Sequence, residues 1–178
     1  MFNRLALISL SILALAGQAE QSLYVAPLPR DGQVLVSFRL EQTLTPEMRK
    51  AIHSGMTVSF DYKVDLKRSA AGWIDRTLDT VVVTASVRYD TLTRKYTLSR
   101  LFDGASDDAR VTDKEEVAWA WLTTQFERLP LFRGTPLEPN GEYYVRVRAH
   151  ARPRGNASFV WPWQADDVVG FAKFTFIR

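Results

Sequence analysis

The chain of 178 residues contains no cysteine, only two histidines and three methionines. Without cysteine there is no thiol nucleophile, no zinc–thiolate site, no disulfide and no cysteine-linked lipid. With His53 and His150 as the only histidines, one chain cannot assemble a three-histidine metal site. The sequence also lacks Gly-x-Ser-x-Gly, Ser-x-x-Lys, His-Glu-x-x-His and a phosphate-cradling glycine loop. These absences argue against common enzyme classes, and no cofactor is expected. After residue 19 no segment reaches 18 consecutive apolar residues, so no membrane-crossing helix is expected there. Nor is there a repeat of 20–50 residues or a low-complexity linker that would divide the chain.

What is present suits one packed domain: 46% hydrophobic residues, 12% aromatic and 24% charged. At this length roughly 70% of the unfolded surface can be buried, which suffices for a core without metal or disulfide support.

The N-terminus has the parts of an export signal. Arg4 precedes an apolar run from Leu5 to Ala16, and Gly17-Gln18-Ala19 supplies small residues for cleavage. Cleavage is expected after Ala19, with Ala16 or a retained anchor as alternatives. Residues 1–19 are therefore read as a signal peptide and 20–178 as a single β-rich domain, periplasmic or secreted. Removing residues 1–19 takes away Arg4 and no acid, so 22 basic residues face 20 acidic ones and the net charge of +3 becomes +2. A chain so close to neutral has no bulk attraction to nucleic acid, and no nucleic-acid partner is expected.

Period-two alternation dominates the chain beyond the signal. Val34, Val36, Phe38 and Leu40 share one strand face, after a turn cluster spanning Pro27 to Gly32. Thr45-Pro46-Glu47 opens a short helix over 46–54, with Thr45 as cap, Pro46 at the first helical position and Gly55 as the stop. Val58, Phe60, Tyr62, Val64 and Leu66 then alternate with Ser59, Asp61, Lys63, Asp65 and Lys67, one face apolar and the other charged. A strand from about Trp73 to Tyr89 turns at Asp90-Thr91-Leu92-Thr93 into its partner, Lys95 to Leu101. Asp103 to Arg110 reads as a polar loop. Thr112-Asp113-Lys114-Glu115 reads as a capping box opening a long helix over 113–128, whose apolar stripe is Val117, Ala118, Trp121, Leu122, Phe126 and Leu129 and which Pro130 stops. Strands at Glu142 to Ala151 and Gly170 to Ile177 complete the chain. The expected fold is mainly β: an antiparallel β-sandwich or strongly curved sheet of about seven strands, with one long and one short helix.

Several of these stretches also carry a resemblance. Ser37-Phe38-Arg39-Leu40, Thr45-Pro46-Glu47, Arg88-Tyr89-Asp90-Thr91-Leu92-Thr93 and Leu137-Glu138-Pro139-Asn140-Gly141-Glu142-Tyr143-Tyr144 occur in an order that resembles a family of small exported bacterial proteins, mostly proteobacterial. Its single domain is of unknown function. The similarity covers residues 22 to about 150; the C-terminal stretch with Trp161-Pro162-Trp163 and Phe171 to Ile177 departs from the pattern. The resemblance implies export and a single domain, and supplies no activity and no catalytic residue.

Two features stand out as candidate binding sites. Tyr144, Arg146, Arg148, His150 and Arg152 fall on one strand face, in a segment, 142–154, with four arginines and one acid, Glu142. Guanidinium groups suit phosphates and carboxylates, so an anionic ligand or an envelope protein with an acidic patch fits this row. The bland alternative is a wet strand face whose arginines pair across to Asp61, Asp65 or Glu41. Trp161 and Trp163, flanking Pro162, offer indoles for a sugar or for peripheral contact with a membrane interface; otherwise they plug one end of the sandwich.

Other chemistries are weaker. A hydrolase built on His150 would use Ser158 or Ser99 as nucleophile, with no local sequence for an oxyanion hole. Asp103, Asp107 and Asp108 lack the alternating order of a Ca²⁺ loop and read as solvated. A small hydrophobic-ligand carrier, enclosed between sheet and long helix, is a third reading. The favoured expectation is an exported, non-enzymatic binding domain that uses Tyr144, Arg146, Arg148 and Arg152, with Trp161 and Trp163 as apolar anchors.

Overall fold

The computed structural model describes residues 22–69, 75–154 and 168–177. Among these, nine strands form two antiparallel sheets. β1 (Ser22–Arg30), β2 (Gln33–Glu41) and β7 (Phe126–Arg133) make a three-stranded sheet in the order β1-β2-β7. β3 (Thr57–Arg68), β4 (Arg76–Asp90), β5 (Lys95–Phe102), β6 (Ala105–Thr112), β8 (Glu142–Arg154) and β9 (Val168–Thr175) make a six-stranded sheet in the order β6-β5-β4-β3-β8-β9. The sheets pack as a sandwich, with helices α1 (Pro46–His53) and α2 (Glu115–Thr123) covering the part of the larger sheet that the smaller one leaves open.

The apolar half of the β3 pattern is realised: Val58, Phe60, Tyr62, Val64 and Leu66 are all buried, while on the opposite face Ser59 and Asp65 are buried as well. Aromatic contacts tie the layers together. Phe38 of β2 stacks on Phe126 of β7 at 4.4 Å between centroids, and Tyr62 of β3 lies 4.7 Å from Phe126. The Tyr62 hydroxyl, pushed well above its ordinary pKa by burial, donates to the Leu122 carbonyl at the end of α2. Thr45 caps α1 by accepting from the Met48 N–H at 3.3 Å, and Gly55 leaves the helix at φ 81°. β1 passes over β9 so closely that a side chain at Gly170 would run into the Leu23 carbonyl. That position tolerates only glycine.

Four expectations are corrected. The strands among the described residues number nine, not about seven, because one segment that reads as a loop and another that reads as helix are both strands. Asp103 to Arg110 is largely strand: Asp103 and Gly104, at φ 47° and 84°, make a two-residue hairpin turn into β6. As an edge strand bearing Ser106, Asp107, Asp108 and Arg110, β6 shows no apolar alternation. It is held by Arg100 of β5, which donates to Asp107 at 3.1 Å and to the Gln125 carbonyl at 2.8 Å while its guanidinium lies 4.6 Å over the Trp121 ring.

The long helix over 113–128 is the second correction. α2 ends at Thr123 and the chain re-enters as β7, with Phe126 opposite Phe38 and Leu129 opposite Val36. β7 advances three residues for every two of β2 at two register shifts, and Arg128 stands at φ 50°. Such bulges destroy the period of two and leave apolar spacings that a helix shares. Pro130 sits inside this edge strand, where a missing N–H costs no ladder bond.

The third correction is the capping box. Lys114 is the cap residue of α2 with no side-chain bond; Thr112 accepts from the Lys114 N–H, and Glu115 reaches instead to Arg49 at 2.8 Å and His53 at 3.0 Å on α1. Fourth, the turn after β1 is only Asp31-Gly32. Pro27 and Pro29 belong to β1, another edge strand.

Candidate binding surface

One face of the six-stranded sheet is covered by the small sheet and helices; the opposite face carries the arginine row. Antiparallel register sets its neighbours. Lys63 of β3, Arg148 of β8 and Val169 of β9 form one row across the sheet, and Asp65, Arg146 and Phe171 form the next. Lys67, Tyr144 and Lys173 form the third. At about 4.8 Å between strands and 3.3 Å per residue, these nine side chains cover roughly 10 by 13 Å.

Asp65 is the hub of this surface. It is 2% exposed, although it lies on the face that sequence alternation assigns to water. Its Oδ2 accepts from Arg146 Nη2 at 2.8 Å, Arg146 Nε at 3.3 Å and Arg148 Nη2 at 3.2 Å, while Oδ1 accepts from the Thr80 hydroxyl at 2.8 Å. Burial alone would raise the Asp65 carboxyl's pKa. The hydrogen bonds from Arg146 and Thr80, with the charges of Arg148 and Arg146, outweigh it and hold the group below the usual carboxylate range. The two arginines thus roof the carboxylate, and each remains about one third exposed.

Around this hub the charge is cationic. Of the nine positions, Lys63, Lys67, Arg146, Arg148 and Lys173 are basic and only Asp65, itself covered, is acidic. Lys63 and Lys173 are exposed and take part in no ion pair among the described residues. The Lys67 ammonium lies 6.0 Å from the centroid of the Tyr144 ring. The Tyr144 hydroxyl donates to Asp75 at 2.8 Å; burial, then that bond, pushes its pKa up. At the rim, Phe171 is 66% exposed and Val169 50%.

Tyr144, Arg146 and Arg148 share this face, as expected. Of the pairings named for the arginine row, the one with Asp65 is made, and the positions around it keep a cationic excess. Glu41 has no part in it, being on β2 beside Arg39 at 3.5 Å. Arg152 lies opposite Ser59 on β8, and its side chain falls outside the described residues, as do Trp161 and Trp163. His150 stands opposite Asp61, whose Oδ1 accepts from Thr84. Ser99 is on β5, three strands away from β8, roughly 14 Å, and its hydroxyl is bonded to Ser86 at 2.6 Å. Ser99 and His150 therefore form no nucleophile–base pair, and Ser158 lies outside the described residues.

Nor do the carboxylates around Gly104 converge. Asp103 accepts from the Val82 N–H, and Asp107 and Asp108 pair with Arg100 and Arg110. Between helix and sheet the interior is filled by Trp121, Phe60 and Leu122. A cleft of about 600 Å³ beside α2, between Leu40–Thr45 and Trp119, is open to solvent. No helix among the described residues is long and apolar enough to cross a membrane.

Residues 22–153 match the family described as domain of unknown function DUF4390. The chain belongs to that family. The match spans β1 to the end of β8, so DUF4390 includes Asp65, Arg146 and Arg148, whereas Val169, Phe171 and Lys173 lie beyond it. No curated protein and no solved structure matches the chain.

Sequence reading missed the contribution of β9. Val169, Phe171 and Lys173 alternate with Gly170 and Ala172, a pattern that marks an outward face once the strand is recognised. Their position beside the arginines is a matter of register, which no local pattern in β9 specifies.

Proposed function

We propose that the chain is an exported, non-enzymatic binding domain that docks an anionic partner on the outer face of the six-stranded sheet. One observation carries this reading: of the nine central side chains on three adjacent strands five are basic, and the one acid among them, Asp65, is itself roofed over, with Asp61 and Glu142 at the borders of the patch. A patch of one sign steers and holds a ligand of the opposite sign even when the whole chain is nearly neutral. Residues 1–19 support export, and the protein recovered from the cell envelope is expected to start at residue 20.

Lys63 and Lys173 provide the test. They are exposed and unpaired among the described residues, so changing them leaves the Asp65 hub intact. With poly-glutamate as probe, binding is expected to weaken with salt, and Lys63→Glu with Lys173→Glu to weaken it at least tenfold at an unchanged melting temperature. Equal binding by the double variant and the parent refutes the reading.

A further inference from the structure

The rim of the same surface is apolar, and this narrows the partner. Val169 and Phe171 lie on an edge strand, 50% and 66% exposed, next to Arg148 and Arg146, with Lys173 two residues on. Large apolar side chains bordered by cations and mounted at the margin of a sheet suit a boundary that is hydrocarbon on one side and negatively charged on the other. The arginines are already oriented by Asp65, so little side-chain freedom is lost when their remaining N–H groups meet phosphate oxygens. Lys63 and Lys173 have no such anchor among the described residues and add long-range attraction to an anionic surface.

We infer that the β8–β9 margin is a peripheral membrane-docking site for anionic phospholipid, with Phe171 entering the headgroup region and Lys63, Arg146, Arg148 and Lys173 facing phosphates. This rests on the anionic-partner reading above and specifies its occupant. An acidic protein would meet the same cations, but it would not require two exposed apolar side chains at the sheet's edge.

The experiment measures co-sedimentation of the processed protein with vesicles of phosphatidylcholine, with and without 30% phosphatidylglycerol. Binding is expected only to the anionic vesicles and to fall with salt. Lys63→Gln and Lys173→Gln should each weaken it about fivefold, the effect of one lysine at an anionic surface. Phe171→Ser should weaken it further, and Lys95→Gln, on the distant β4–β5 hairpin, should leave it unchanged. Binding that is absent, or indifferent to Phe171 and Lys173, overturns the inference. If poly-glutamate still binds in a Lys173-dependent way while anionic vesicles do not, the lipid assignment falls and the anionic-partner reading survives. If neither probe binds, both fall.

Discussion

Replacing Asp65 by Asn should destabilise the domain although the residue lies on the sheet face that looks solvent-facing in sequence. The side chain is nearly isosteric, so packing is preserved and only the charge is lost. Arg146 and Arg148 would then crowd each other without their shared counter-ion, and the Thr80 hydroxyl would face a weaker acceptor. Breaking a fully buried ion pair by removing one partner costs about 3–5 kcal/mol. Here Asp65 is buried but the arginines are about one third exposed, so water restores part of their solvation, and the expected loss is about 2–3 kcal/mol. With a urea slope of about 2 kcal/mol/M, the unfolding midpoint at neutral pH should fall by roughly 1–1.5 M. The pH dependence supplies an independent check. The folded-state pKa of Asp65 is lowered, so its contribution is present above the unfolded-state value near 3.9 and is lost as pH falls through the lower folded-state value. Urea titrations of parent and variant should therefore converge as the pH drops from 6 towards 3. A midpoint shift under about 0.3 M at pH 6, or a gap that does not narrow in acid, would refute the assignment of Asp65 as the hub.

In the scaffold, Gly170→Ala sets a methyl group against the Leu23 carbonyl where β1 crosses β9, a backbone obstruction that no rotamer change relieves. A loss of about 3 kcal/mol, seen calorimetrically as a melting temperature lowered by roughly 6–12 °C, is expected, and an unchanged transition would mean that β1 does not lie there. Thr45→Ala removes the hydroxyl that accepts from the Met48 N–H at the start of α1 and should cost about 1 kcal/mol in urea unfolding, with Thr45→Ser restoring most of it.

The hub also decides which substitutions can report on binding. Arg146 and Arg148 are the residues that sequence singles out, yet replacing either strips a buried carboxylate of a partner, so lost binding and lost stability would be confounded. Lys63 and Lys173 avoid this because among the described residues they hold nothing else in place. Their stability should change by less than about 0.5 kcal/mol on neutralisation.

Sequence by itself determined the elements whose physics is local. The alternation in β3 needs only one wet and one dry face, the cap at Thr45 and the stop at Gly55 act within one helical turn, and the Asp90 turn is closed by the aspartate's own bonds to the Leu92 and Thr93 N–H groups. The cationic row on β8 arises from the same period of two. Tertiary structure decided the rest. β7 became a strand because Phe38 and Val36 offered it a ladder and its bulges placed Phe126 and Leu129 in the core, a choice that residue spacing leaves open between helix and strand. β6 became a strand because β5 and Arg100 hold it, not because its own side chains alternate. The surface itself is the clearest case: strand order and register put Asp65 beneath Arg146 and Arg148 and set Phe171 and Lys173 beside them, from segments about eighty and twenty-five residues away. Burial of a charge and the company it keeps depend on which strands become neighbours, and that pairing is a property of the whole packed sheet.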